Sequence, residues 1–369
     1  MKVLLCGGGT AGHVTPAVAI AEAILNSHRD TKLLFVGREG GFENGEITKK
    51  GYPLKTIEIS GFKRKIGIEN FKSAYKLLKS MKRAKEILRE FMPDVVIGTG
   101  GYVCFPVLKM AERMKIPTVL HESNSTPGLS SRLLSAKCDR VLLNFQNTEG
   151  EYKEKRNIKV VGNPIREDFF KLSKSEARKR LNIKNDEIMI LSVGGSGGAY
   201  ALNQISLELM AKYSEKTKPV RHVHVSGKKY FETISERRKE EAKKGGCEIL
   251  PYIENMPLYL LGADIVISRC GAMTLSELSA TAKAAILIPS PNVANNHQYK
   301  NALIFKEADA AIIIEEKDLT LERLKESVSE ICKNKKKRST LEKNIRQFYV
   351  RNAKERIVEE IESVVRGRK

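Results

Sequence analysis

The fold is decided at residues 7–16, which read GGGTAGHVTP and directly follow the apolar run KVLLC. Gly7, Gly9 and Gly12 have the G-x-G-x-x-G spacing of a turn between a buried strand and a helix, where glycine lets the backbone approach a phosphate. The helix that follows offers unpaired N–H groups and a partial positive charge to an anion. The segment therefore predicts either a dinucleotide-binding turn or a loop that presents His13 to a substrate.

Short β-branched runs alternate with longer helical patterns along the whole chain. Such alternation is typical of parallel sheets covered by helices, and it predicts two doubly wound α/β units. The expected strands are KVLLCG, KLLFVG, DVVIGTG, PTVLHE, RVLLN and IKVVGNP in the first half, then IMILSVGGSGG, VRHVHVSG, CEILPYI, ADIVISR and AAILIPS. Asn163-Pro164 interrupts the pattern. We expect domains at 1–163 and 164–341, with a C-terminal helical segment, 342–369, packing back toward the first domain.

The charge balance calls for an anionic partner. Lysine and arginine number 65 against 44 acidic residues, a formal net charge of +21. Nucleic acid, a phosphorylated substrate and an acidic membrane surface all fit this charge. No apolar run approaches the roughly 18 residues of a membrane-spanning helix, and the N-terminus has no signal-peptide layout, so we expect a cytoplasmic protein. The six cysteines form no C-x-x-C pair, which argues against a zinc site or a disulfide framework.

A second glycine loop, GGSGGAYALN at 194–203, follows the first strand of the second unit. Two such loops in matching positions favour ligand binding over a bare turn. A dinucleotide site would also need an acidic residue at the end of the second strand, where KLLFVGREGG has Arg38 and then Glu39. Arg38 suits a 2′-phosphate, so an NADP-dependent oxidoreductase stays an alternative.

The stretch SRCGAMTLSELSATAKAAILIPSPNVANNHQYKNA, residues 268–302, places a third anion-binding helix start after a strand. Arg269 and Gly271 come at the sheet edge, and the helix opens near Thr274. Glu277 has two interpretations. It completes a capping box with Thr274, or its carboxylate accepts two hydrogen bonds from a ribose diol and so selects a nucleotide sugar.

In order and spacing, six motifs resemble the MurG family of bacterial N-acetylglucosaminyltransferases. They are GGGTAGHVTPAVAIAEAI, GTGGYVCFPV, HESNSTPGLSSRLL, VVGNPIR, GGSGGAYALN and SRCGAMTLSEL with HQYKNA, and together they cover essentially the whole chain. The resemblance implies an α/β, type-B glycosyltransferase fold, with two Rossmann-like domains facing a central cleft. It also implies an inverting transfer of N-acetylglucosamine from UDP-N-acetylglucosamine to the 4-hydroxyl of undecaprenyl-diphosphoryl-N-acetylmuramoyl-pentapeptide (lipid I), which makes lipid II for peptidoglycan. The resemblance thus argues against a nicotinamide cofactor at the loop 7–16.

The resemblance further implies where each substrate binds. The donor would lie chiefly in the C-terminal domain and the acceptor on the N-terminal domain, at the cytoplasmic face of the cell membrane. A peripheral enzyme with no cofactor and no required metal is expected, whose partners are UDP-N-acetylglucosamine, lipid I, an anionic membrane surface and cell-wall synthesis proteins. No nucleic-acid partner is expected.

Site residues carry over by position in the motifs. The expected donor-binding residues are Thr10, Ala11, Gly12, Asn124, Arg166, Ser196, Ile253, Ala272, Met273, Thr274, Glu277, Gln298 and Asn301. The expected acceptor-binding residues are Gly9, His13, Tyr102 and Asn124. Among the donor residues, Ser196 and Arg166 would face the diphosphate, Glu277 the ribose, and Gln298 the N-acetylglucosamine hydroxyls.

The general base has two candidates. His13 is the first choice because imidazoles titrate near neutrality and the loop should hold this one at the site. Glu122 in HESN is the competitor. His222 and His224 alternate along a strand and face one side, but with no third ligand in view we expect no metal there.

Segment 61–90 holds ten Lys/Arg against three Glu, with Phe71, Tyr75, Leu78 and Met81 at helical spacing. A helix packed on its own core shows the same stripe. The surrounding positive charge favours a membrane-surface patch, since each basic residue near an anionic leaflet contributes roughly 1 kcal/mol.

Three further functions stay as alternatives. Another UDP-sugar glycosyltransferase of this fold, such as a diacylglycerol glucosyltransferase, would be expected to lack the HESN and GGYV pairing. A UDP-N-acetylglucosamine epimerase would use the same nucleotide sugar without a lipid. A nucleic-acid-binding protein would need aromatic platforms or a groove-reading motif, and the chain has no tryptophan and no recognisable module.

Overall fold

The computed structural model of the protein describes residues 1–61, 68–212, 220–244 and 246–367. The chain divides into two compact units, Met1–Ile165 with Val350–Lys369, and Arg166–Tyr349. The second unit thus ends after Tyr349, whereas the sequence suggested residue 341. The later boundary follows from packing, because Ile345 is fully buried and its helix, residues 335–346, packs against strand and helix residues of the second unit.

The first unit is built on one parallel sheet. Its described strands are β1 (Lys2–Cys6), β2 (Lys32–Arg38), β3 (Leu54–Ile57), β4 (Val95–Gly98), β5 (Thr118–Glu122), β6 (Arg140–Leu143) and β7 (Ile158–Val160). They lie in the order β3-β2-β1-β4-β5-β6-β7, with Val3 opposite both Leu33 and Val95. Because the order reverses between β1 and β4, their carboxyl ends form the topological switch point, where doubly wound sheets bind ligands.

Helices cover both faces of this sheet. They are α1 (Ala11–Ser27), α2 (Phe42–Lys49), α3 (Ile68–Phe91), α4 (Cys104–Arg113) and α5 (Leu129–Ser135), with a 3-10 helix at Gln146–Glu151. The apolar faces of α3 and α4 form one core with the sheet, and α1 forms the other. Strands buried on both faces explain why their sequences are nearly continuous apolar runs.

The second unit repeats this plan. Its described strands are β8 (Ile188–Val193), β9 (Val220–Val225), β10 (Glu248–Leu250), β11 (Ile265–Ser268), β12 (Ala284–Leu287) and β13 (Ile312–Ile313). Its helices are α6 (Lys174–Arg180), α7 (Tyr200–Ala211), α8 (Lys228–Phe231), α9 (Glu236–Lys244), α10 (Met256–Gly262), α11 (Ala272–Ala280), α12 (His297–Glu307), α13 (Leu321–Lys333) and α14 (Lys335–Arg346). Its 3-10 helices are Glu167–Phe170, Ala294–Asn296 and Glu316–Asp318. The parallel order β10-β9-β8-β11-β12-β13 puts the switch point between β8 and β11.

Two parallel-sheet α/β domains confirm the predicted fold class. The sequence runs anticipated the strands other than β3 and β13, which both lie at sheet edges. β3 has four residues, mostly half-buried, and β13 has two. Such short runs carry too little periodicity to be distinguished from loops.

The last helix, α15 (Ala353–Arg366), belongs to the first unit although it ends the chain. It packs against α1 and β6. Ile357, Val358, Ile361 and Val364 are buried in the same core as α1. The first domain is therefore completed by residues distant in sequence.

Candidate functional site

Two glycine loops of the first unit meet at its switch point. Residues 7–10 follow β1 and residues 99–103 follow β4. The Gly8 N–H donates to Gly100 O at 3.4 Å. A Cβ at Gly101, where φ is +85°, would lie only 2.3 Å from Gly8 O. The two backbones therefore touch directly, which only glycine at this crossing permits.

The two loops that touch here also position the ring of His13. This half-buried residue lies in the first turn of α1, and its Nδ1 is 3.0 Å from Gly8 O. A carbonyl oxygen only accepts, so Nδ1 carries the hydrogen in this bond and the lone pair of the neutral ring is on Nε2. The ring also lies against Gly100, where a Cβ would come within 2.6 Å of Cδ2. His13 is thus held in a form that can take a proton at Nε2.

Glu43 on α2 is a residue that the sequence reasoning missed. Its side chain is fully buried. Oε2 accepts the Gly9 N–H at 3.0 Å, and Oε1 accepts the Arg38 N–H at 2.7 Å. The carboxylate therefore ties the loop after β1 to the end of β2. A single buried acid leaves no periodic pattern, and the glycines on either side of it in REGGFENGE are the one local signal.

Glu122, the competing base, ends β5 and has its carboxylate engaged by neighbours. Oε1 accepts the backbone N–H of Asn124 at 3.0 Å and its side-chain N–H at 3.1 Å, and Oε2 accepts the Ser131 hydroxyl at 2.6 Å. These bonds shape the loop between β5 and α5. Both oxygens of Glu122 are thus occupied by protein donors, whereas Nε2 of His13 has its lone pair available.

The predicted acceptor-binding residues follow three neighbouring strands. Gly9 and His13 come after β1, Tyr102 after β4 and Asn124 after β5. Gly9 is exposed, and Tyr102 is 56% exposed with its ring over Gly61. The three residues expected at the donor from this loop, Thr10, Ala11 and Gly12, form the start of α1, and Thr10 and Gly12 are exposed.

The second unit has two helix starts at its own switch point. Val193 and Ser268 lie opposite each other at the ends of β8 and β11, so the loops that follow begin side by side. Ser196 is exposed in the first loop, which is closed by a bond from Gly198 N–H to Gly195 O at 3.0 Å.

The second loop leads into α11, whose N-terminus has unused donors. The first bond at that end runs from Leu275 N–H to Gly271 O, and no side chain caps the helix. The N–H groups of Ala272, Met273 and Thr274 therefore point beyond the helix end, where its partial positive charge lies. This end suits a diphosphate.

Glu277 is not part of a capping box, so that interpretation is wrong. The helix starts at Ala272 with Gly271 as its N-cap, which places Thr274 inside the first turn. Among the described residues the Glu277 carboxylate makes no hydrogen bond. Burial raises the pKa of Glu277 to about 7, opposed by the positive charge of Arg166. The structure thus brings these two predicted donor residues close together.

Gln298 and Asn301, both on α12, differ in what they can reach. The Gln298 Oε1 accepts the N–H groups of Cys270 at 3.2 Å and Ser290 at 2.9 Å, so its amide NH₂ is the group left for a sugar hydroxyl. Asn301 is fully buried and donates to Cys270 O at 3.1 Å. Contrary to expectation, the structure places Asn301 under the loop rather than on its surface.

Two other residues of this region lie inside the protein. The Arg269 guanidinium donates to Ile288 O at 3.2 Å and pairs with Glu316, so it braces the sheet edge. Ile253 follows β10 and is buried, which leaves its backbone as the group to contact a base.

His222 and His224 share one hydrogen-bond partner, Ser192. The Ser192 Oγ lies 2.8 Å from His222 Nε2 and 2.7 Å from His224 Nδ1. Both rings are fully buried, which lowers the pKa of each to about 3. In the described ranges no group of three potential ligands is placed to hold a metal ion.

The expected membrane patch is only partly exposed. The side chain of Phe71 lies outside what the structure describes, and Met81 packs partly buried against the core of the first unit. Tyr75 and Leu78 are 70% and 68% exposed. Across the described helices, none has the length and apolar character to cross a bilayer.

Two models of known protein families match this chain, each mainly in one of the two units. The glycosyltransferase family 28 N-terminal domain matches residues 3–143, and the glycosyltransferase family 28 C-terminal domain matches residues 189–359.

Curated relatives match over the full length. The UDP-N-acetylglucosamine–N-acetylmuramyl-(pentapeptide) pyrophosphoryl-undecaprenol N-acetylglucosamine transferase of Thermoanaerobacter sp. strain X514 is 42% identical over 99% of this chain and 100% of its own. The protein of the same name from Alkaliphilus oremlandii is 38% identical over 99% of both chains. Among solved structures, MurG of Acinetobacter baumannii is 25% identical, with a TM-score of 0.75 over 98% of this chain and 99% of its own.

Proposed function

Because the chain belongs to the family of the UDP-N-acetylglucosamine–N-acetylmuramyl-(pentapeptide) pyrophosphoryl-undecaprenol N-acetylglucosamine transferases, we propose that its two units share one reaction, with the base in the first and the donor site in the second. The protein is a glycosyltransferase. It transfers N-acetylglucosamine from UDP-N-acetylglucosamine to lipid I in peptidoglycan synthesis. The nicotinamide alternative is therefore discarded.

The observation that carries the donor site is the pair of helix starts at the β8/β11 switch point. The N–H groups of Ala272, Met273 and Thr274, the loop at Ser196 and the charge of Arg166 would together bind the diphosphate. They stabilise the charge that develops on UDP as it leaves. The positive groups are supplied by the chain, so we propose that no metal is required.

Two side chains would bind the ribose and the N-acetylglucosamine of the donor. The Glu277 carboxylate, which has no protein hydrogen bond among the described residues, would accept from both ribose hydroxyls. The Gln298 NH₂ would donate to a hydroxyl of N-acetylglucosamine, because its oxygen already accepts two backbone N–H groups. The backbone of Ile253 would contact uracil.

The first unit would supply the base. The proton of the muramoyl 4-hydroxyl passes to His13 Nε2 as the oxygen attacks C1 of N-acetylglucosamine, and the C1–O bond to UDP breaks. Attack opposite the leaving group inverts the anomeric carbon and gives a β-1,4 link. The bond from His13 Nδ1 to Gly8 O supports this direction of proton transfer.

Transfer of labelled N-acetylglucosamine to a short-chain lipid I analogue tests the proposal in three proteins: wild type, Glu277→Ala and His13→Ala. We expect transfer to collapse in both variants, by at least about 100-fold for His13→Ala. Calorimetry should show donor binding lost in Glu277→Ala and kept in His13→Ala. Full transfer by His13→Ala would refute the base, and normal donor binding by Glu277→Ala would refute the ribose site.

We also propose that the enzyme works at the cytoplasmic face of the membrane as a peripheral protein. Exposed Tyr75 and Leu78 on the basic helix α3 would enter the lipid interface, while lysines and arginines contact anionic headgroups. This would confine the enzyme to the plane of its lipid-linked acceptor.

A further inference from the structure

One peptide group of the first glycine loop is bonded on both sides. The Gly9 N–H donates to Glu43 Oε2 at 3.0 Å. The Gly8 carbonyl, which is the other end of the same peptide, accepts from His13 Nδ1 at 3.0 Å. Glu43 and His13 are thus joined through a single amide plane, a carboxylate at one end and an imidazole at the other.

The backbone around Glu43 is shaped to admit this carboxylate. A Cβ added at Gly8 would lie 2.3 Å from Glu43 Oε1, and one added at Gly41 would lie 2.5 Å from its Cδ. At Gly37 the distance to the Glu43 Cγ would be 2.8 Å. Glycines from two loops and the end of β2 therefore surround the side chain, which is fully buried.

Burying a carboxylate is costly unless hydrogen bonds replace its water. Glu43 has such bonds from Gly9 N–H and from Arg38 N–H at 2.7 Å. The Arg38 bond and the helix α2 hold the carboxylate in place, so the direction of the Gly9 bond is set by the fold. If Glu43 only held the loop, a bond to any peptide of the loop would be enough. The peptide that it binds is Gly8–Gly9, whose carbonyl accepts the hydrogen bond from His13.

Hydrogen bonds in a chain polarise one another. A carboxylate at the N–H end of a peptide strengthens the carbonyl at its other end as an acceptor, and a stronger acceptor favours a hydrogen on Nδ1. Carboxylates that bond to a histidine directly fix its tautomer in the same way in metal sites and in hydrolase triads.

We propose that Glu43 is a positioning residue that acts through the Gly8–Gly9 peptide to keep the hydrogen of His13 on Nδ1 and the lone pair on Nε2. Its effect on turnover rests on the proposed role of His13 as base. Other groups near the ring are consistent with this direction. Thr10 Oγ1 is 3.3 Å from Nδ1 and can accept a second bond from it, and the Cys104 thiol bonds instead to Gly100 O and Cys6 O.

Nitrogen-15 NMR of the full chain labelled on histidine tests the tautomer directly. The spectrum is recorded at alkaline pH, where imidazoles are neutral, and the His13 signals are assigned with a His13→Gln variant. We expect the Nδ1–H form in the wild type and a shift toward the Nε2–H form in Glu43→Gln. Finding His13 of the wild type in the Nε2–H form would overturn the proposal. This measurement needs no Glu43 variant, so it does not depend on whether such a variant folds.

Kinetics test whether Glu43 works through His13. We expect Glu43→Gln to lower kcat by about tenfold or more, with KM for UDP-N-acetylglucosamine unchanged. In a His13→Ala background the same change should add less than about twofold, because residues that act as a unit are not additive. Glu43→Asp should recover part of the rate. The matched control is Glu46→Gln on the same helix, a half-exposed residue that pairs with Lys49 and makes no contact with the glycine loop.

The outcomes separate this proposal from the assignment of the base. A shifted tautomer with a non-additive loss of kcat supports both. An unchanged tautomer, with an equal loss of kcat in both backgrounds, means that Glu43 only holds the loop, and the proposal fails. In a third outcome, Glu43→Gln shifts the tautomer while His13→Ala keeps full activity. That result supports the link between Glu43 and His13 and removes His13 as the base.

Discussion

At the scale of single residues, side chains of similar type differ in which atoms the protein itself uses. Glu122 accepts two hydrogen bonds from Asn124 and one from Ser131 on α5, and the Gln298 oxygen accepts two. Glu277 accepts none among the described residues and lies near a cation, Arg166. An acid without protein donors gains most from a ligand that brings hydroxyls.

Donor binding should therefore depend on pH through Glu277. Burial raises the pKa of Glu277 to about 7, and only the deprotonated form accepts from both ribose hydroxyls. Below about pH 7 the affinity for UDP-N-acetylglucosamine should fall, by up to about tenfold per pH unit, and above it the affinity should level off. Calorimetric titrations across this range measure the effect. Glu277→Gln should bind weakly with no such slope, and a slope that persists in Glu277→Gln would assign it to another group.

At the scale of elements, β8 and β9 are joined by a buried polar chain as well as by backbone pairing. Ser192 on β8 bonds to both His222 and His224 on β9, and His224 Nε2 lies 3.2 Å from Asn203 Oδ1 on α7. Both histidines are neutral because burial lowers the pKa of each to about 3. In the unfolded chain the same rings titrate near pH 6.5.

The stability of the second unit should fall in acid. Between about pH 6.5 and 3 the unfolded chain binds more protons at these rings than the folded protein, so lowering the pH favours unfolding. Each histidine contributes up to about 1.4 kcal/mol per pH unit. Urea unfolding at several pH values should show the slope. It should shrink in the double variant His222→Gln/His224→Gln and persist in His297→Gln, and an unchanged slope in the double variant would contradict the assignment.

Helix α3 supplies a test of the membrane proposal at the same scale. Replacing exposed Tyr75 and Leu78 by serine removes apolar surface that would enter the lipid interface, and we expect roughly tenfold weaker binding to vesicles containing anionic phospholipid. Co-sedimentation measures this. Met92→Ser, at another exposed apolar residue, is the control, and transfer to a water-soluble acceptor should be unchanged. Equal binding by the double variant and the wild type would place the membrane contact elsewhere.

At the scale of the whole molecule, the two ends of the chain build one domain. The strand β1 and helix α1 come first in the sequence, and α15 comes last, yet they share a core. The family 28 C-terminal model extends to residue 359, so the sequence family boundary and the structural boundary differ at this end.

Removing a buried side chain from α15 should therefore destabilise the first domain. Ile361 is fully buried in the core shared with α1, and Ile361→Ala should cost about 2–5 kcal/mol of unfolding free energy. Denaturant unfolding measures the loss of unfolding free energy. Limited proteolysis, with the cleavage sites mapped to each unit, shows which unit opens first. Glu359→Ala on the exposed side of α15 should be nearly neutral, and cleavage that first appears in 166–349 would contradict the placement.

Much of the candidate site was visible in the sequence because its residues follow strands. Parallel strands are apolar runs, and their carboxyl ends meet at one edge, so the loops at residues 7–13, 194–199 and 269–274 were predicted to bind a ligand. The loop at 99–103 was recognised only through the family motif. The family motifs added the substrates. His13 and Glu277 were chosen at this stage, and their roles stay predictions. In the structure His13 lies in the first turn of α1 and Glu277 lies in the second turn of α11.

The sequence by itself determined the fold class, the position of the glycine loops after their strands and the family, since periodicity and motif spacing are local properties of a chain. Only the tertiary structure decided which polar atoms remain for a substrate. Glu43 meets Gly9 across 34 residues of chain, Asn301 lies buried under Cys270, and α15 closes the domain that β1 begins. Each of these depends on contacts between distant segments, and a local pattern records that a residue is buried but not which partner it meets.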